Sequence, residues 1–251
     1  METGRARPTR YRLAPLLFWL GLGMTGTEPS QAAGISLNKT RVIFSQGARA
    51  QTLTVVNTTS QAWLVQVRIT GDQEKTAPAF VVTPPLFRLE ANSQNSLRIL
   101  PTFNRPPFPI DRESAFVVSL RAIPGVAVPD TGTSERQTGQ HSQVQVALQM
   151  NIRLFYRPQS VPARDNATVA KQVKFSLQGT QLRVENPMPY FLTFSVLKVG
   201  AQHADNHTRQ TMVPPKGIQT YLFQTHSFTA GGQGPLVWRF PGDSQDRHVP
   251  L

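Results

Sequence analysis

The 251 residues contain no cysteine. That excludes thiol nucleophiles, cysteine-ligated zinc, thioether haem attachment and a disulfide framework. A chain of this length can fold on its hydrophobic core alone. Negative charge is also scarce: 14 Asp and Glu stand against 26 Lys and Arg, a formal charge of +12. Such a balance suits nucleic acid, an anionic surface or acidic partners. The basic residues are scattered, however, and no Lys/Arg run interleaves with aromatics. A solvated basic surface is the ordinary reading, and no nucleic-acid partner is expected. Sustained helical periodicity is missing, as is any apolar run after residue 33 long enough to span a bilayer. Catalytic signatures are missing too. His141, His203, His207, His226 and His248 accompany neither a nucleophile elbow nor a zinc-protease motif. His203 and His207 have a spacing that suits metal ligation on a helix, but AQHADNHT reads as a polar loop. Nothing cradles phosphate. The expectation is a chain that is not an enzyme, with no catalytic residue, no metal and no cofactor.

What is present begins with residues 1–33. Arg5, Arg7, Arg10 and Arg12 form a basic start, Leu13 to Met24 (LAPLLFWLGLGM) an apolar run, and Ser30 to Ala33 a small-residue cleavage region. This is the pattern of a secretory signal peptide; an uncleaved anchor is the alternative. After cleavage no stable membrane insertion is expected. Removing four Arg and two Glu leaves the charge near +10.

Short β-type runs then recur between turn residues: Thr52 to Val56, Ala62 to Ile69, Phe80 to Val82, the run holding Leu97, Ile99 and Leu100, and Ser114 to Ile123. Thr83-Pro84-Pro85 interrupts them, since proline cannot donate to a central ladder. Pro124 to Ser142 is a polar stretch, long for a hairpin loop. Behind it, Gln143 to Pro158 (QVQVALQMNIRLFYRP) alternates apolar and polar residues over an unusual length. A period of two marks a strand, because successive side chains point to opposite faces. Such a strand is either the half-buried strand of a sandwich or a template on which a second chain pairs. The polar, proline-bearing PQSVPARDNA reads as a linker. A second series of strands follows from near Val169: Val173 to Leu177, Gln181 to Val184, Phe191 to Val199, Ile218 to Phe223 and Leu236 to Phe240. The pattern predicts an all-β protein with two sandwiches in tandem.

Four motifs in order, ISLNKTRVIF (Ile35 to Phe44), PIDRESAFVVSLRAIP (Pro109 to Pro124), ALQMNIRLFYRP (Ala147 to Pro158) and RVENPMPYFLTF (Arg183 to Phe194), resemble the PapD-like periplasmic chaperones of pilus assembly. The resemblance implies two immunoglobulin-like β-sandwich domains in a boomerang arrangement, at residues 34–160 and 161–251. It implies a periplasmic protein that binds and caps pilin subunits by donor-strand complementation and passes them to an outer-membrane usher. Val144, Val146, Leu148 and Met150 are then the donor-strand residues. Arg41 matches the family's cleft arginine, and Arg153 stands where the family usually has lysine; the pair anchors the subunit's terminal carboxylate. An arginine holds a carboxylate with two parallel hydrogen bonds, whereas lysine is a point charge. Glu113 and Arg157 match two members of a network that orients the domains. The usual third member, an Asp before Gly-Gly, is absent from Phe228 to Gly232. Val117 and Ser119 also depart from the usual aromatic and Asn. The loop Pro124 to Ser142 lacks the cysteine pair of long-loop members. The rival reading is a secreted β-sandwich subunit of a surface fibre, against which the Arg41–Arg153 pair and its flanking motifs stand.

Overall fold

A computed structural model describes residues 34–71, 78–104, 107–125, 146–205, 211–223 and 234–249. The expected export signal at 1–33, donor-strand residue Val144 and nearly all of the Pro124 to Ser142 stretch lie outside the described residues.

The first half contains β1 (Ile35–Leu37), β2 (Arg41–Ser45), β3 (Gln51–Asn57), β4 (Trp63–Gly71), β5 (Phe80–Thr83), β6 (Leu86–Leu89), β7 (Gln94–Pro101), β8 (Ser114–Pro124) and β9 (Leu148–Arg157). They form two sheets, ordered β1-β3-β7-β5 and β2-β9-β8-β4-β6. The alternation of β4, buried at Trp63, Val65, Val67 and Ile69 with exposed residues between, is the mark of a sheet with one dry face. The first motif, ISLNKTRVIF, is not one strand. β1 pairs antiparallel with β3 in one sheet, and β2 then pairs parallel with β9 in the other. The prolines act likewise: β5 and β6, split by Pro84 and Pro85, are edge strands of opposite sheets. Inside, Phe44, Leu53, Val55, Leu97, Ile99, Leu120 and Leu154 are fully buried. Phe80 sits among Phe44, Phe103, Phe116 and Tyr156 at ring separations of 5.0–6.4 Å. At about 1.5–3 kcal/mol per buried large apolar side chain, this core replaces what disulfides supply elsewhere.

The second half holds β10 (Lys174–Gln178), β11 (Gln181–Asn186), β12 (Val196–Val199), β13 (Gln202–His203), β14 (Gly217–Leu222), β15 (Leu236–Arg239) and β16 (Arg247–Val249). Its sheets run β10-β11-β14 and β13-β12-β15-β16. They enclose a second core of Tyr221, Phe194, Trp238 and Phe240, with Phe175 packed against it. The fold is therefore all-β with two sandwiches, as the strand spacing predicts.

Three expectations need correction. The strand expected over Gln143 to Pro158 is regular only over Leu148–Arg157 among the described residues, so Val146 precedes it. The linker expected before Val169 contains a helix, α1 (Asn166–Gln172). Asp165 caps it by accepting from the backbone N–H of Ala167 and Thr168 at 3.2 and 2.9 Å, and Val169 anchors it in the second core. Two turns with one buried side chain leave no periodicity to read. Of Phe191 to Val199, only β12 is strand; Leu192 makes a single bridge to Val213.

Candidate polypeptide-binding edge

Apolar Leu148, Met150, Ile152, Leu154 and Tyr156 share one face of β9, and polar Gln149, Asn151 and Arg153 the other. The inward residues become more buried along the strand: Leu148, Met150 and Ile152 are half-buried against the first core, whereas Leu154 and Tyr156 are fully enclosed. Pairing explains the gradient. β8 lies along β9 from Leu148 to Tyr156 on one side. On the other side β2 pairs only from Arg153 to Arg157. Among the described residues, no strand covers that edge over Leu148 to Ile152. At about 3.3 Å per residue, this leaves some 15 Å of open β edge flanked by half-buried apolar side chains. Val146, just before the strand, is 64% exposed, high for a valine.

The open edge stops where β2 begins. There Arg41 and Arg153 are direct register partners. In a parallel pair, partners project from the same sheet face, so two half-buried guanidiniums stand side by side at the end of the edge. Ile43 and Phe155, then Ser45 and Arg157, continue the same face toward the second sandwich.

Behind them lies a junction between the sandwiches. Phe155 stacks on Phe191 at 5.5 Å. Arg157 donates through Nε and Nη2 to one oxygen of Glu113 at 2.9 and 2.7 Å, and its guanidinium lies over the Tyr190 ring. The other Glu113 oxygen accepts the backbone N–H of Phe191 at 3.0 Å. The Glu113 N–H donates to the Pro189 carbonyl at 2.9 Å. Tyr190 and Phe191 are held by Asn186, which is buried and satisfied. Its amide donates to the Tyr190 and Pro214 carbonyls at 2.7 and 2.9 Å and its oxygen accepts from Met188 N–H at 3.0 Å. Glu113 and Arg157 are thus brought together, with a backbone amide satisfying the remaining carboxylate oxygen. Sequence reasoning missed this partner, because a backbone donor carries no residue signature.

A second, exposed link was also missed. Lys216 of the second sandwich donates to Asp111 of the first at 2.6 Å, and Arg112 donates to its other oxygen at 3.0 Å. The Lys216 hydrogen bond, then that from Arg112, holds the Asp111 carboxyl down to about 2. Its folded pKa lies below the ordinary 3.8, so its contribution is present above pH 3.8 and lost as pH falls through 2. Asp111→Asn is expected to lose less thermal stability than wild type between pH 4 and pH 2, read by thermal unfolding at both values. Equal losses would contradict this. The effect is small, since both side chains face water.

The described residues contain no cluster of three potential metal ligands and no helix long and apolar enough to cross a membrane.

Comparison with known proteins decides the family. The profile of the PapD N-terminal domain, pili and flagellar-assembly chaperone, matches residues 34–162, and that of the pili assembly chaperone PapD C-terminal domain matches residues 168–240. The chain belongs to the PapD family of pili-assembly chaperones. It is 35% identical over 193 residues to the Escherichia coli chaperone protein FocC, covering 76% of this chain and 79% of that one. Against the chaperone protein FimC of E. coli strain K12 the identity is 31% over 209 residues, 83% and 80% of the two chains. A chain in the solved structure of the Salmonella enterica SafA pilin in complex with the SafB chaperone superposes with a TM-score of 0.69 at 29% identity, covering 88% of this chain and 98% of that one.

Proposed function

We propose that this PapD-family chaperone captures pilin subunits by lending them a strand. The half-paired edge of β9, ending at the Arg41–Arg153 pair, carries the reading. A subunit that is a sandwich lacking one strand exposes apolar core and unpaired backbone, both costly in water. Laid beside β9, its edge receives backbone hydrogen bonds from Leu148 to Ile152. Val146, Leu148 and Met150 fill its vacant apolar pockets, with Val144 next in the same alternation. Arg41 and Arg153 hold its terminal carboxylate and thereby fix the register, since a one-residue slip would turn every inserted side chain to the wrong face. Glu113 and Arg157 hold the second sandwich at the end of this edge. The chain works in the periplasm after signal cleavage and delivers subunits to an outer-membrane usher. No catalysis is involved: pairing and burial supply the free energy. The domains divide at residues 160 and 161.

Val146 gives a clean test. Its side chain is exposed in the free chain, so Val146→Asp leaves thermal unfolding unchanged. A carboxylate forced into an apolar pocket without a partner is strongly disfavoured. Co-expression in the periplasm with a pilin subunit is therefore expected to recover a soluble 1:1 complex for wild type and little for Val146→Asp. Equal recovery would remove Val146 from the donor segment.

A further inference from the structure

The strands of the sheet β2-β9-β8-β4-β6 carry charge of one sign only. They hold Arg41, Arg68, Arg88, Arg121, Arg153 and Arg157, and no Asp or Glu. Most of these are accounted for. Glu113 holds Arg157 and Glu90 holds Arg88 at 3.0 Å, while Arg41 and Arg153 form the pair at the end of the open edge. Arg68 and Arg121 remain. Both are exposed, and among the described residues neither makes an ion pair or a hydrogen bond.

Register brings these two together. Arg121 of β8 stands opposite Gln149 of β9 on one side and Gln66 of β4 on the other. Arg68 stands opposite Ser119, and Ser119 opposite Asn151. Opposed residues share a face, so the two arginines are diagonal neighbours with Cβ atoms about 7 Å apart. Gln66, Arg68, Ser119, Arg121 and Gln149 line one depression of about 140 Å³ on the outer face of the sheet. These walls offer amide, hydroxyl and guanidinium donors and no carboxylate. Two guanidiniums held this near without a counter-charge repel each other, and an oxyanion between them turns that cost into charge-assisted hydrogen bonds.

Position says which anion. Gln149 lies within the open edge of β9, Leu148 to Ile152, so the depression begins at that edge. A strand added there lies about 4.8 Å beyond β9 and about 9–10 Å from β8. Its side chains opposite Gln149 and Asn151 project from the same face as Arg121 and Arg68. An acidic side chain and an arginine, each reaching across Gln149, span that gap.

We propose that Arg68 and Arg121 read an acidic side chain of the captured subunit, an Asp or Glu on the outward face of the strand that pairs with β9, opposite Gln149 or Asn151. This rests on the strand-lending reading above. The terminal carboxylate at Arg41 and Arg153 sets where the subunit strand ends. The second carboxylate tells one subunit from another, which backbone pairing alone does not, since specificity in strand addition comes from side chains.

The test uses the full mature chain and two synthetic peptides of the C-terminal strand of the pilin that it captures. One is natural; in the other the outward acid is replaced by the matching amide. Binding is measured by titration calorimetry. Wild type is expected to bind the natural peptide about three- to fivefold more tightly, the range of an exposed charge contact. The difference should vanish in about 1 M NaCl. The double variant Arg68→Gln with Arg121→Gln should bind both peptides alike, and Arg68→Lys with Arg121→Lys should restore part of the preference. Both side chains face water, so thermal unfolding of these variants stays unchanged. A merely structural role would weaken both peptides together and leave their ratio as it was. A preference that survives the double Gln variant overturns the proposal, as does a captured pilin with no acid on that face. Hydrogen exchange on the wild-type complex separates the two levels. If the peptide protects Leu148 to Ile152 and wild type still shows no preference, strand lending stands and the acidic site falls. If that stretch gains no protection, the strand-lending reading falls and the site with it.

Discussion

Arg41→Ala and Arg153→Ala are each expected to abolish recovery of a chaperone–pilin complex while the free chain folds as before. Both side chains are half-buried, lie outside the apolar cores, and make none of the junction's hydrogen bonds to Glu113. Removing one therefore costs little in the free protein. In the complex, on the proposed anchoring of the subunit's terminal carboxylate, it leaves that carboxylate half-gripped. Truncating one partner of a hydrogen-bonded charge pair at an interface costs about 2–5 kcal/mol, roughly thirty- to several-thousand-fold in affinity. Arg153→Lys should bind much better than Arg153→Ala, because lysine keeps the charge and loses only the two-pronged geometry. Co-purification yield, beside thermal unfolding of each variant, reads both effects. Wild-type yields from the alanine variants would mean that the guanidiniums are solvated side chains of the sheet.

Glu113→Ala is expected to give the largest loss of stability. The Glu113 side chain is 3% exposed and that of Arg157 13%. Alanine would leave the Arg157 guanidinium buried without its carboxylate and the Phe191 N–H without an acceptor. Breaking a buried pair by removing one member costs about 3–5 kcal/mol. The same change unties β8 from the loop that carries Tyr190 and Phe191, so pilin capture should fall as well. Denaturant unfolding reads the first effect and co-purification the second. Unchanged stability would mean that water replaces the carboxylate and the junction is looser than its geometry implies.

The sandwiches were legible because their strands obey simple rules. β4 and β8 alternate, turns carry Asn, Gly and Pro, and prolines fall where strands leave a sheet. The apolar face of β9 was equally visible. Its free edge was not: alternation reports which face is dry, while edge exposure depends on where β2 begins to pair, a matter of three dimensions. Arg41 and Arg153 were singled out through motif resemblance, and their side-by-side register is a property of the parallel pairing of β2 and β9. Helix α1 was hidden by its brevity, although Asp165 three residues before Thr168 was a readable cap. The network around Glu113 was half legible, since its partner Arg157 lies in a motif and its other partner is a backbone amide.

Hydrogen exchange on the chaperone alone and in complex with a captured pilin tests the central claim most directly. The open edge of β9 should exchange readily in the free chain. On complex formation, protection is expected to rise over residues 146–152, while β6, the opposite edge of the same sheet, stays unchanged. Protection gained at β6 or in the second sandwich, with 146–152 unaltered, would contradict strand lending by β9 and place the subunit elsewhere on the molecule.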